Sequence, residues 1–186
     1  MPNPIIYRKI VTKIIVAQTS TKSGGTFANV DESGGVAWTT PSNASASDDV
    51  RTTSLMGAVD HTDYCKATNF GFTIPTQGVI DGIVVEVERR GTQATVVGIT
   101  DKFIYLVKGG IDGGGTNNAD IVTVWPTSDT YKTYGTSTDL WGQTWIPEDI
   151  NASNFGCEVS ALNVGWDIGD ETASIDHIRI TIYYRA

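Results

Sequence analysis

Near the end of the chain Ile178, Ile180, Ile182 and Tyr184 alternate with His177, Arg179, Thr181 and Tyr183. A period of two over eight residues is met by an extended strand with one covered face and by no helix. The same alternation runs through residues 83–90, where Ile83, Val85 and Val87 oppose Val84, Glu86 and Glu88. It recurs at 155–162, where Phe155, Cys157, Val159 and Ala161 oppose Gly156, Glu158, Ser160 and Leu162. Strands with one dry and one wet face belong to antiparallel sheets.

Turn chemistry separates these runs. The 186 residues hold 20 glycines and 6 prolines among many Thr, Ser, Asn and Asp, and the Asp81-Gly82 turn dipeptide opens the 83–90 strand. Further strands are predicted at 36–39, 50–55, 64–72, 103–108 and 121–125, with a glycine-rich loop at 109–118. Helix is confined to one turn at 147–150, where Pro147 suits a first helical position and Glu148 and Asp149 suit the positive helix end. Eight to ten short strands predict an all-β fold, an antiparallel, jelly-roll-like β-sandwich. The predicted division is an N-terminal arm or strand and hinge over 1–24 and the sandwich over 25–186. Residues 18–26, Gln-Thr-Ser-Thr-Lys-Ser-Gly-Gly-Thr, have the composition of the hinge.

Charge is distributed unevenly. The first 30 residues carry Arg8, Lys9, Lys13 and Lys22 and no acid, so that segment is +4 and the remainder −12 within a total of −8. An acidic body disfavours a broad nucleic-acid surface, which needs a basic patch. The apolar residues of the arm, Ile5, Ile6, Tyr7, Ile10, Val11, Ile14, Ile15 and Val16, are interrupted by Lys9 and Lys13. No stretch there matches a signal peptide or the roughly 20 apolar residues of a membrane span. β-Branched content favours an extended arm over a helix. Ile5, Tyr7, Arg8, Lys9, Ile10, Lys13 and Ile14 are the expected partner-binding residues, set to meet an acidic neighbour.

Catalytic signals are few, and no catalytic, cofactor-binding or metal residue is assigned. His61 and His177 are the two candidate bases, and no nucleophile elbow, phosphate loop, zinc helix or dinucleotide fingerprint occurs. Asp176 precedes His177 in a strand, so the two point to opposite faces; Asp176 is expected half-buried on a backbone turn and His177 facing solvent or a partner. Asp48-Asp49, Asp60 with Asp63, and Asp112 read as turn residues, with a calcium site or glycosidase acids as alternatives. Trp125, Tyr131, Tyr134, Trp141 and Trp145 are dense enough to be core or interface, and Trp125, Tyr134 and Trp141 are candidate glycan contacts. Asn43 and Asn151 head glycosylation-like tripeptides but read as turn residues. Cys65 and Cys157 lack metal-ligand spacing and read as two buried free thiols, with a disulfide formed after release from a reducing cytosol as the alternative.

Several segments together carry a family resemblance. They are Ala37-Trp38-Thr39-Thr40-Pro41-Ser42-Asn43-Ala44, Asp48-Asp49-Val50, Phe70-Gly71-Phe72-Thr73-Ile74-Pro75, Ile80-Asp81-Gly82-Ile83-Val84-Val85-Glu86-Val87-Glu88 and Leu106-Val107-Lys108. Trp125-Pro126-Thr127-Ser128-Asp129, Tyr134-Gly135, Asp139-Leu140-Trp141-Gly142 and the stretch from Ser174 to Tyr184 follow in order. Residues 36–184 thereby resemble small β-rich virion proteins of tailed bacteriophages and their prophages. The resemblance implies a non-enzymatic structural protein located in the virion after assembly in the host cytoplasm. The preferred reading is a capsid decoration or cement protein on the head surface, a homo-oligomer expected as a trimer, with the major capsid protein or other virion proteins as partners. The alternative is a receptor- or carbohydrate-binding module of a tail, neck or head fibre, with a host surface glycan as ligand. No cofactor, nucleic acid or membrane partner is implied.

Overall fold

A computed structural model describes residues 17–93, 97–166 and 169–186. Its strands are β1 (Ala17–Ser23), β2 (Thr26–Val30), β3 (Thr52–Met56), β4 (Tyr64–Thr68) and β5 (Val79–Arg90), then β6 (Ile99–Lys108), β7 (Ile111–Gly114), β8 (Thr130–Gly135), β9 (Gly156–Asn163) and β10 (Glu171–Arg185). One sheet, A, runs β1-β10-β5-β8, with β3 also on β10; the other, B, runs β2-β4-β9-β6-β7. All strand pairs are antiparallel. With β2 and β3 set aside, the pairs β1·β10, β4·β9, β5·β8 and β6·β7 nest one inside the next. That is the rolled-up hairpin of a jelly roll. The sandwich expected from alternation is therefore the fold.

Strand β10 is the spine of sheet A. Its first residues pair with β3 and its last with β1, so those two strands lie end to end along one edge while β5 fills the other. The inward rows Ile83, Val85 and Val87 of β5 and Ile178, Ile180 and Ile182 of β10 meet Cys65, Ala67, Ile104, Leu106, Cys157, Val159 and Ala161 of sheet B. A register shift between Ile175 and His177 puts Ile175 in the same core as Ile178 despite their odd spacing, the signature of a bulge.

Three expectations are corrected. Residues 18–23 are not a hinge: they form β1, because Ser and Thr backbone groups pair in register from Gln18 opposite Tyr184 to Ser23 opposite Arg179. The chain passes between sheets at Gly24-Gly25, where Gly24 N–H donates to Ile178 in sheet A and Gly25 N–H to Thr68 in sheet B. A Cβ on Gly25 would lie 2.6 Å from the Asn69 carbonyl. Residues 121–125 are not a strand, because the Asp120 carboxylate accepts the Val122 and Thr123 N–H groups and curls them into a turn. Residues 36–39 make only isolated bridges, Val36 to Thr62 and Thr39 to Thr53. The short helix α1 (Pro147–Asn151) forms where expected, with Pro147 at its start.

Candidate functional site

The outer face of sheet A gathers the residues with the most chemistry. His177 on β10 is 8% exposed; its Nδ1 lies 2.7 Å from the Tyr131 hydroxyl on β8 and its Nε2 2.8 Å from the Ser23 hydroxyl on β1. The expectation of a solvent-facing His177 is therefore corrected. Outward parity was right, but the hydroxyls reaching in from β8 and β1 cover the ring. Burial and the nearby Arg179 guanidinium push the imidazole below its ordinary value, which favours its neutral form. Arg179 forms a two-pronged pair with Glu86 at 2.8 and 2.9 Å and lies over the Tyr131 ring.

A serine hydroxyl on a neutral imidazole is the first half of an activated nucleophile. Here the imidazole is oriented by a phenol, and the next two N–H groups after Ser23 are already donated to Ile178 and Thr68. Neither of these two N–H groups is therefore free to hold an oxyanion. The arrangement instead ties β1 to β8 across the sheet, helped by the Thr21–Thr181 hydroxyl contact at 2.8 Å and the Tyr184 hydroxyl donating to Gln18 at 2.9 Å. Asp176 is buried and accepts the Asp49 N–H at 3.2 Å, the backbone-turn role expected of it.

The three proposed glycan contacts lie inside the sandwich. Trp125 and Trp141 are fully buried and Tyr134 is nearly so, which corrects their assignment as sugar-stacking residues: their faces are covered by the chain itself. Asp101, at 0% exposure, accepts the Trp125 Nε1–H at 2.8 Å, the Tyr134 hydroxyl at 3.0 Å and the Asp120 N–H at 2.9 Å, and pairs with Arg89. The Arg89 guanidinium sits 4.6 Å from the Trp125 ring centre and 5.7 Å from that of Tyr134. Burial pushes the Asp101 carboxyl up, while Arg89 and the other donors oppose that shift. Trp141 donates its Nε1–H to the Ile83 carbonyl at 2.8 Å. Gly135, at φ +74, makes room, since a Cβ there would lie 2.7 Å from Trp141 Nε1. Tyr134, Gly135 and Trp141 thus serve core packing.

Accessible aromatic surface lies on sheet B. Tyr64 on β4 and Phe103 and Tyr105 on β6 are half-buried on its outer face, with ring centres 6.1 Å apart for Tyr64–Phe103 and 5.6 Å for Phe103–Tyr105. They stand opposite in parity to Cys65 and to Ile104 and Leu106, a signal present in the sequence and outweighed by the denser tryptophans. Beside them Lys66, Glu158 and Tyr105 form a row across β4, β9 and β6.

The remaining carboxylates act as turn and pairing groups. Asp48 accepts the Val50 N–H, Asp60 the Gly57 N–H, and Asp63 the Asn29 amide and Glu32 N–H. Asp112 pairs with Lys66, and His61 with Glu32. Among the described residues no group of three or more His, Cys, Asp or Glu is placed to hold a metal ion. Asn151 donates to and accepts from the Ile74 backbone, and Asn43 donates to the Arg51 carbonyl. Cys65 and Cys157 are buried free thiols, and burial pushes the Cys65 thiol up to about 12. The expected partner-binding residues Ile5, Tyr7, Arg8, Lys9, Ile10, Lys13 and Ile14 lie outside the described residues. Among the described residues no helix is long and apolar enough to cross a membrane.

No protein family and no curated protein matches the chain. Among solved structures, the chain is similar to the structure of the infectious bursal disease virus Gt strain at a TM-score of 0.33 and 11% identity, over 97% of this chain and 38% of that one. It is similar to that of the Gx strain at 0.29 and 12%, over 98% of this chain and 42% of that one. The chain spans about two-fifths of the length of these chains.

Proposed function

We propose that this chain is a non-enzymatic structural protein of a virion, acting as a capsid decoration protein that assembles with copies of itself and with the major capsid protein. The observation that carries this reading is the state of β1. Its seven side chains are almost all exposed, and its backbone pairs with β10 alone, which leaves its other edge unpaired among the described residues. An open edge is a template for a strand from another chain. The segment leading into it is the basic, β-branched stretch of residues 1–16, which cannot build a core by itself and is opposite in charge to the body. The quoted family-like segments support the same reading, since Trp38, Phe70, Phe72, Trp125, Tyr134 and Trp141 are all buried scaffold residues.

Deleting residues 2–16 should leave the sandwich folded and reduce self-association and capsid attachment. A truncated chain that assembles as the full chain does would overturn the proposal. Counting copies in purified virions separates decoration from a fibre role, since a decoration protein scales with the major capsid protein and a fibre module does not. A second reading, a carbohydrate-binding module, rests on Tyr64, Phe103 and Tyr105. It expects that Tyr105→Ala lowers retention on a host-glycan column without changing assembly.

A further inference from the structure

The β6–β7 hairpin does not simply extend sheet B; it arches back over the outer face of β9 and β4. Gly110 N–H donates to the Asn154 carbonyl at 3.1 Å, Lys66 Nζ on β4 donates to the Gly110 carbonyl at 3.0 Å and pairs with Asp112, and Gly113 N–H donates to Glu158 Oε1 on β9. Beneath this cover Glu158 is 0% exposed, and its second oxygen, Oε2, has no hydrogen-bond partner. The hairpin is built on left-handed glycines, Gly109, Gly110, Gly113 and Gly115, with φ between +63 and +83. Few side chains anchor it, and Ile111 at its tip is 72% exposed.

We propose that Glu158 is a proton-operated latch for this hairpin: protonated, it holds residues 109–114 down on sheet B, and ionised, it releases them. The groups facing Glu158 are Lys66 and Tyr64 from β4, Tyr105 from β6 and Asp112 from β7. A neutral carboxyl has a proton to donate to Asp112 and needs little solvation. An ionised one places a buried charge with an unpartnered oxygen beside a second carboxylate, with the one nearby ammonium already engaged by Asp112 and the Gly110 carbonyl. Such a group regains water when the hairpin lifts. Burial and Asp112 raise the Glu158 carboxyl to about 7 from its ordinary 4.5, while Lys66 and the Gly113 N–H pull the other way. When the hairpin lifts, the proton leaves to solvent. The inference is independent of the assembly reading, since it concerns one hairpin within one chain.

Linkage sets the expected size. Between the open value near 4.5 and the closed value near 7 the opening equilibrium rises about tenfold per pH unit, and it levels off above. Hydrogen exchange of the full chain, read at Gly110 and Gly113 as protection relative to an unstructured peptide, should fall across that window. Glu158→Gln, which keeps the shape without the titration, should hold protection constant, and Asp112→Asn should shallow the fall. Protection independent of pH in the unsubstituted chain, or an equal fall in Glu158→Gln, would overturn the proposal. A carboxyl carbon resonance of Glu158 titrating below pH 5 would overturn it without any variant.

Discussion

Asp101 and Glu158 are both fully buried carboxylates on sheet B, one facing the sandwich interior and the other the outer face. Asp101 is met by a guanidinium, an indole, a phenol and a backbone N–H, contributed by β5, the 115–129 loop and β8. Glu158 has one backbone donor and an oxygen with none. The contrast teaches that burial alone does not decide what a charge does. A carboxylate with every lone pair satisfied binds the two sheets together, whereas one left short of donors stores a free-energy difference that protonation relieves.

The sharpest way to break the contrast is to remove one partner in the interior. Asp101→Asn leaves Arg89 buried and uncompensated, and urea denaturation should show a loss of about 3 to 5 kcal/mol. The double replacement Arg89→Met with Asp101→Leu should recover only part of that loss, because it removes both buried charges but leaves the Trp125, Tyr134 and Asp120 donors without their acceptor. If Asp101→Asn cost less than about 1 kcal/mol, the interior pair would be no better a tie than a surface one.

The next effect is a pH profile. A carboxyl raised in the folded chain contributes stability that is full below its ordinary value and is lost as pH rises toward the folded value, so Glu158 should weaken the fold between about 4.5 and 7. The amplitude should be about 1 to 3 kcal/mol and absent in Glu158→Gln. His177 has the opposite sign. Its imidazole is lowered, so its contribution is full above 6.5 and is lost as pH falls through the lower folded value. Denaturation of Glu158→Gln against pH should therefore remove the Glu158 limb, and comparison with Glu158→Gln/His177→Gln isolates the His177 limb; identical profiles in the two variants would remove His177 from the account.

The smallest effects separate the two histidines. His177→Gln breaks at least one of two hydrogen bonds holding β1 to β8 and should cost about 1 kcal/mol with faster exchange along β1. His61→Gln touches a half-buried pair with Glu32 and should cost less, about 0.5 kcal/mol. Equal costs would mean that the cover over His177 adds nothing.

Much of this molecule is legible in its amino-acid sequence. Alternation placed Ile83, Val85 and Val87 inward, and continuing that count by one step puts Arg89 in the core as well. Asp101 was hidden, because the bulge between Asp101 and Phe103 shifts its parity relative to Ile104. Strand β1 was hidden for another reason: a run of Ser and Thr has linker composition whether or not a neighbour pairs its backbone. Residues 121–125 looked like a strand from Ile121, Val122, Val124 and Trp125, yet Asp120 turned them aside with two local hydrogen bonds.

The chain by itself therefore determined an antiparallel β-fold, the facing of its longest strands, the helical turn after Ile146 and the opposition of a basic start to an acidic body. Each of these is a local property, set by backbone geometry and by side-chain period over a few residues. Only the tertiary structure decided that Trp125 and Trp141 face Arg89 and Ile83 instead of water, that Ser23 and Tyr131 close over His177, and that the 109–114 hairpin folds down on Glu158. A period of two states which side of a strand a residue occupies. What covers that side is contributed by strands tens of residues away, and no local pattern carries it.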